Sequence, residues 1–229
     1  PMGTGGAIKY VERFVESDRI IVVNGDVVSS LDTKSMLDFH NKNGGVVTIS
    51  LYHVEDARNY GLVMLEKGGR IMEFREKPEN AIAGLINAGI YVMEREIFDY
   101  IPSEKEVSLE REVFPVLVHE GKAYGFVFQG YWSDTGTLEN YLNAQRVILE
   151  SMGFQNFVEE GAEMFGRAEE NVYVHSPSFV GEDTVLRNCT VMPGAFVGRN
   201  CFIDRAIIGT GATIGDNTRV LDKIIGGKP

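Results

Sequence analysis

The chain has 229 residues, 44% hydrophobic and 24% charged, the composition of a folded protein with room for one large domain or two smaller ones. A formal net charge of -11 argues against a nucleic-acid binder, whose affinity is built from clustered Lys and Arg, and leaves small anionic substrates open if a metal supplies local positive charge. No apolar run is long enough to span a membrane, no signal peptide opens the chain, and the two cysteines, Cys189 and Cys201, read as small packing residues of a reducing cytoplasm.

In chain order, a helical stretch over 7–15 precedes the short apolar run Ile20-Ile-Val-Val23, which reads as a buried strand and ends in the turn Asn24-Gly25-Asp26. Helical spacing returns over 33–43, stops at Gly44-Gly45, and gives way to a β-branched strand over 46–54. Segments 61–65 and 70–76 flank Gly68-Gly69 as a hairpin. A strand over 86–93, a helix over 110–120, a strand over 124–128 and an amphipathic helix over 137–150 follow. Alternating helices and buried strands predict an α/β layer fold with a mainly parallel sheet across residues 1–150. Residues 151–170 lose periodicity, collect Gly and Glu, and read as a linker.

The last 51 residues are three copies of a 17-residue unit, beginning at Phe179, Phe196 and Thr213. Aliphatic residues fall at the same three places in each copy: Val180, Leu186, Val191; Val197, Ile203, Ile208; Ile214, Val220, Ile225. Three short strands per coil, each sending one side chain inward, predict a left-handed parallel β-helix over 171–229, with 171–178 as a degenerate first coil. Gly181, Gly198 and Gly215 mark one corner, and Asp183, Asn200 and Asn217 follow where tight bends favour residues tolerant of positive φ.

Several residues could carry chemistry. Asp26 sits past a strand end, where ligands gather in open α/β sheets; a carboxylate there suits Mg2+, though on its own the Asn-Gly-Asp motif reads more readily as a turn that bonds its own backbone. Asp134, in Trp132-Ser-Asp-Thr-Gly-Thr137, follows a strand and precedes a helix, so it reads either as a second metal carboxylate or as a helix-approach cap. In Glu76-Lys77-Pro78, Lys77 could neutralise a phosphate and Glu76 could accept sugar hydroxyls, or the two could form an edge-strand surface pair. Gly5 and Gly6, in Gly3-Thr-Gly-Gly-Ala7, would let a base or phosphate approach the backbone closely, or simply make a turn and cap.

Together these segments resemble the sugar-1-phosphate nucleotidylyltransferases, most closely the mannose-1-phosphate guanylyltransferases with a C-terminal β-helix. Gly3-Thr-Gly-Gly-Ala-Ile-Lys9 resembles the family's segment beside the base, and Asn24-Gly-Asp26 its metal-binding Gly-Asp. Tyr60-Gly61 and Glu76-Lys-Pro78 resemble its sugar-phosphate contacts, Asn87-Ala-Gly89 its sugar-hydroxyl loop, and Trp132-x-Asp134-x-Gly-Thr137 the segment giving the second metal carboxylate. The resemblance implies a Rossmann-like, GT-A-like nucleotidyltransferase domain followed by a left-handed β-helix. It implies Mg2+ held by Asp26 and Asp134, catalytic roles for Asp26, Lys77 and Asp134, and substrate contacts from Gly5, Gly6, Gly61, Glu76, Asn87 and Gly89.

The family's Gly-rich, Arg-containing triphosphate loop and its Lys-Pro segment have no counterpart here, so the resemblance implies an N-terminally truncated domain, with roughly 80 residues preceding Gly3 in complete members. The implied reaction joins a nucleoside triphosphate, GTP by preference, to a sugar 1-phosphate, mannose 1-phosphate by preference, with positioning and charge neutralisation as the catalytic devices. Glucose 1-phosphate with another nucleotide, a non-catalytic sensor or assembly subunit, and an acyltransferase using His175 are the alternatives. The open ends of a stacked prism imply a homo-oligomer through the β-helix.

Overall fold

The computed structural model describes residues 2–80, 82–103 and 105–227. They form two compact units, Pro1–Trp132 and Ser133–Pro229.

The first unit opens with helix α1 (Gly3–Val11), which passes into a 3-10 turn at Glu12–Phe14. It starts four residues earlier than its apolar spacing suggests. Glycines are poor helix formers, and this first turn is held by tertiary bonds: Gly5 N–H donates to the Val107 carbonyl at 2.8 Å, and Val107 N–H to that of Met2 at 3.0 Å. Strands β1 (Arg19–Val23) and β2 (Val27–Ser29) flank the Asn24-Gly25-Asp26 turn. Helix α2 (Thr33–Asn43) ends at the expected Gly44, at a φ of 62°, and Asp32 caps its start by accepting from Lys34 N–H at 3.0 Å. There follow β3 (Val47–Val54), β4 (Gly61–Leu65), β5 (Ile71–Glu76), β6 (Gly84–Glu94), a single π-helical turn (Leu109–Val113), α3 (Phe114–His119) and β7 (Ala123–Val127).

The sheet runs β5-β4-β6-β3-β7, with β1 also paired to β6. It is mixed, which corrects the mainly parallel expectation: β3–β7 pair in parallel, while β1–β6, β3–β6, β4–β5 and β4–β6 are antiparallel. The cause is β6, whose first half takes β4 and second half takes β1 along one edge while β3 covers the other. Both faces of the central strands β3 and β6 are buried, so these read as continuous apolar runs; β1 is not the buried strand its apolar run suggests, since Ile21 and Val23 are exposed. Val47, Ile49, Leu51, Tyr91 and Met93 pack with Phe114 and Leu117, whereas Ile90 and Val92 pack with Met36 of α2.

In the second unit, helix α4 (Leu138–Ser151) begins at Thr137, which accepts from Asn140 N–H at 3.1 Å. The following coils stack in parallel with the period found in the sequence: Phe179 pairs with Phe196 and Phe196 with Thr213; Val185 pairs with Phe202 and Phe202 with Arg219. Of the inward aliphatic rows, Val180, Leu186, Val191, Val197, Ile203 and Ile208 are wholly enclosed and Ile214 and Val220 buried, while Ile225 in the last coil is only partly covered. Asp183, Asn200 and Asn217 adopt φ of 58°, 51° and 57°. A second left-handed column at Asn171, Asn188, Arg205 and Asp222 was not expected. Gly181 has no room for a side chain, since a Cβ would lie 2.8 Å from the Gly198 carbonyl carbon.

Residues 151–170 are not a bare linker. Asn156–Val158, Glu163–Met164 and Arg167–Ala168 form strands that pair in parallel with the next coil, so the solenoid begins well before residue 171. The boundary between the units falls at Trp132–Ser133 rather than near 150, because α4 packs on the solenoid. Cys189 and Cys201 are buried free thiols; burial pushes the Cys189 thiol up to about 12.

Candidate active site

In the first unit, Asn87 and Gly89 stand in the irregular middle of β6, where Asn24 of the Asn24-Gly25-Asp26 turn meets them. Two residues of β3, Ile49 and Leu51, face Tyr91 and Asn87, so Ala88, Gly89 and Ile90 bulge opposite Ser50. Ser50 Oγ accepts from Ile90 N–H at 3.1 Å, which fixes the far side of the bulge. Gly89 takes a φ of 76°, and its carbonyl accepts from Asn24 N–H at 2.8 Å. The Asn87–Gly89 segment is thereby joined to the Asn24-Gly25-Asp26 turn. Asn87 is held at both ends of its amide: Oδ1 accepts from Gly89 N–H at 3.0 Å, and Nδ2 donates to the Tyr91 hydroxyl at 2.9 Å. Tyr91 is buried, and desolvation followed by the negative charge of Glu110 pushes its hydroxyl well above the usual range.

The second group comes from the β4–β5 hairpin. Gly61 pairs with Glu76, and a Cβ on Gly61 would lie 3.0 Å from Glu76 Oε2 and 2.6 Å from the Phe74 ring, so Gly61 is required by the closeness of its own hairpin partners. Lys77 N–H donates to the Tyr60 carbonyl at 3.0 Å while Lys77 sits at a φ of 47°. This left-handed step turns the exposed Lys77 side chain out of the β5 register. Glu76 is half-buried; burial, then the charge of Glu110, raises its carboxyl above the ordinary range, against the pull of Lys77 and Arg111.

Trp132 ties the two groups together. Its indole N–H donates to the Ala88 carbonyl at 2.8 Å, and its ring meets Tyr60 edge-on at 5.3 Å and Tyr52 at 5.8 Å. The bulge, the Tyr60-Gly61 corner and the Glu76-Lys77 step are thus fixed to one another through an aromatic cluster.

Gly5 and Gly6 have a packing reason for their identity. Their N–H groups donate to the Val107 carbonyl, at 2.8 and 3.4 Å, and added Cβ atoms would meet Val107 Cγ1 at 2.9 Å and the Lys105 carbonyl at 3.1 Å. Gly6 also lines a cleft of about 420 Å3 with Lys9, Tyr10, Pro102 and Lys105. The residue that sequence reasoning missed is Glu110. Its Oε2 accepts from Thr4 Oγ1 and Ser108 Oγ, each at 2.8 Å, so it links the Gly-rich segment to the site of Tyr91 and Glu76. An acid directly after an apolar residue at a helix start was its only sequence signal.

Asp26 is exposed on its turn. Asp134 belongs to the second unit, where its Oδ1 accepts from Gly136 N–H and Asn140 Nδ2, both at 3.0 Å. Both are hard oxygen donors of the kind Mg2+ takes, and no group of three or more His, Cys, Asp or Glu gathers among the described residues. Either carboxylate by itself suits an ion completed by substrate phosphates. Among the described residues no helix is long and apolar enough to cross a membrane.

Residues 1–151 match the family described as nucleotidyl transferase. A mannose-1-phosphate guanylyltransferase of Mycobacterium tuberculosis is 42% identical over 154 residues, covering 66% of this chain and 43% of that protein. A probable mannose-1-phosphate guanylyltransferase 2 of Oryza sativa subsp. japonica is 32% identical over 192 residues, covering 81% of this chain and 52% of that protein. The chain spans about half the length of these curated relatives. Among solved structures, HddC from Yersinia pseudotuberculosis superposes with a TM-score of 0.54 at 31% identity, over 63% of this chain and 61% of its own. With the mixed sheet and these matches in agreement, the chain belongs to the nucleotidyl transferase family.

Proposed function

We propose that the protein, or the larger protein whose sequence it shares, transfers a nucleotidyl group from GTP to mannose 1-phosphate, releasing pyrophosphate and GDP-mannose. The observation that carries this reading is the fixed corner made by Asn87, Gly89, Glu76 and Lys77 around Trp132, supported by the 42% identical guanylyltransferase. A phosphate oxygen of the sugar 1-phosphate attacks the α-phosphorus, the bond to the bridging oxygen of the β-phosphate breaks, and pyrophosphate leaves with that electron pair.

Little covalent work falls to the protein in such a reaction, so positioning and charge neutralisation do most of it. Lys77 neutralises the sugar phosphate as a point charge. Glu76 and Asn87 accept and donate bonds to sugar hydroxyls; because Tyr91 takes one amide hydrogen of Asn87, the other is left to donate. Gly61 and Gly89 keep side chains out of the space beside these groups, and Gly5 and Gly6 serve the approach of the base. Asp26 and Asp134 are the carboxylates assigned to Mg2+. When bound, Mg2+ would neutralise triphosphate charge.

We assign the solenoid to self-association, supported by the outward aromatic column Phe165, Phe179 and Phe196, whose rings follow one another at 5.6 and 4.9 Å with Phe165 and Phe196 exposed. The buried free thiols of Cys189 and Cys201 suit a reducing cytoplasm.

The test is calorimetric titration of this chain with mannose 1-phosphate and with glucose 1-phosphate, beside Mg2+-dependent pyrophosphate release from GTP. Mannose 1-phosphate is expected to bind more tightly, and Lys77→Ala to weaken it about ten- to a hundredfold, the scale of a lost charge-assisted contact. Binding of neither sugar phosphate would remove the reading.

A further inference from the structure

The second unit contains a buried polar junction that none of the assigned roles uses. Gln145, on α4, is buried against the solenoid with its whole amide engaged. Its Nε2 donates to the Asn171 carbonyl at 2.9 Å and lies 3.2 Å from both Asn171 Oδ1 and the Cys189 carbonyl; its Oε1 accepts from Thr190 Oγ1. Asn171 and Cys189 stand on successive coils, so one side chain grips two coils at once. The grip is returned: Asn171 Nδ2 donates to the Leu142 carbonyl of α4 at 3.0 Å. Asn171, Thr190 and Cys189 are buried as well.

The same helix holds Asp134. Thr137 caps α4, and Asn140, in its first turn, donates to Asp134 Oδ1 beside Gly136 N–H. Gln145 lies only five residues beyond Asn140, about 7.5 Å along the axis. A buried polar network adds little net stability over an apolar substitute of the same shape, but it admits one register only. That matters at Asn140, because rotating α4 by a single residue would swing it about 100° away from Asp134.

We propose that Gln145 is a positioning residue for Asp134, through which the solenoid sets the rotation of α4 and so the aim of the carboxylate assigned to Mg2+. The inference rests on that assignment for its functional consequence, not for the mechanical link. It gives the solenoid a task besides the proposed self-association, as the buttress of the Asp134 side chain within the second unit.

The test compares the chain with Gln145→Leu, Thr190→Val and Asp134→Asn. Three readouts are taken: the Asn140 side-chain amide resonances in 15N spectra, Mn2+ binding from the free-ion EPR signal, and the thermal midpoint. Gln145→Leu is expected to move the Asn140 amide toward the free-amide position and weaken Mn2+ binding about tenfold while the chain stays folded. Thr190→Val, which removes one bond, covers the case in which Gln145→Leu does not fold, and is expected to do the same more weakly. Unchanged Asn140 resonances in a folded variant overturn the positioning role. Displaced Asn140 resonances together with Mn2+ binding indifferent to Asp134→Asn uphold the link and overturn the metal assignment instead.

Discussion

Asn24 and Gly89 meet backbone to backbone: the Asn24 N–H donates to the Gly89 carbonyl at 2.8 Å, and a Cβ on residue 89 would stand 2.7 Å from Asn24 Nδ2. Two sequence motifs more than sixty positions apart are thus one structural object. Gly89→Ala must place a side chain at a φ of 76° and push the Asn24 amide aside. It is expected to cost about 1–3 kcal/mol of stability, measurable by urea unfolding. It should also weaken mannose 1-phosphate binding more than a fold-neutral surface change does. Wild-type stability in Gly89→Ala would show that the bulge relaxes without strain.

Glu76 and Glu110 form an acid pair around Tyr91. Burial, then Glu110, raises the Glu76 carboxyl above its ordinary 4.5. The folded chain therefore keeps this proton longer than the unfolded chain does, and native stability falls as pH rises from 4.5 through the raised value. Glu110→Gln removes one charge and is expected to bring the Glu76 titration back down, read directly from its side-chain carboxyl 13C shift. If ionised Glu76 accepts sugar hydroxyls, mannose 1-phosphate affinity climbs over the same window, and its midpoint moves with the variant. A Glu76 titration indifferent to Glu110→Gln would leave burial as the sole cause.

The parts of this fold that were legible in the sequence share a cause. In the solenoid each coil rests on its neighbours, so inward aliphatics and left-handed corners recur at a fixed interval and write the architecture into the chain. Asp183, Asn200 and Asn217 announce their positive φ chemically; in the parallel column Asn171, Asn188, Arg205, Asp222 the same signal is broken by Arg205, which adopts φ of 50° under the constraint of its stack. Strand direction in the first unit is a long-range property: nothing local in β6 says that β4 and β1 will share one edge. The site follows the same division. Glu76, Lys77, Asn87 and Gly89 stand in recognisable short motifs, whereas Glu110 acquires its meaning only when Thr4 arrives from the other end of the unit.

His40 supplies an acid-sensitive point beneath the sheet. It is buried, with Nδ1 2.7 Å from Thr48 Oγ1 of β3 and Nε2 3.0 Å from Glu94 Oε1 of β6. Arg19 of β1 donates to the same Glu94 oxygen through Nε at 2.8 Å. Burial lowers the His40 imidazole below its ordinary 6.5, against the pull of Glu94, so the folded state prefers it neutral. For Glu94 burial works upward, but the bonds from Arg19 and His40 prevail and hold it below 4.5. Both shifts act in one direction. Acidification costs stability first as pH falls below 6.5, where the unfolded His40 takes a proton the native one resists, and again below 4.5, where Glu94 resists its own. Urea midpoints are expected to fall between about pH 7 and 5, and His40→Gln, a neutral donor and acceptor, should flatten that upper limb while leaving the lower one. A slope unaltered in His40→Gln would assign it to another group.

Cys201 tests the solenoid's column chemistry without touching the active site. It stands in register with Thr184 one coil below and Thr218 one coil above. Thr184 Oγ1 donates to the Gly198 carbonyl at 2.7 Å and accepts from Cys201 N–H at 3.0 Å; Thr218 Oγ1 donates to the Gly215 carbonyl at 2.7 Å. Cys201 Sγ reaches that same Gly215 carbonyl at 3.2 Å, but a thiol is a weak donor. Cys201→Thr places a stronger donor in a position whose shape Thr184, fully buried, already fills in the neighbouring coil. The substitution is expected to raise stability by about 0.5–1 kcal/mol, the net value of a neutral hydrogen bond, seen as a higher thermal midpoint. Cys201→Val, matched in bulk but with no donor, should gain nothing. Equal gains from Thr and Val would mean that volume, not the hydroxyl column, governs this edge of the solenoid.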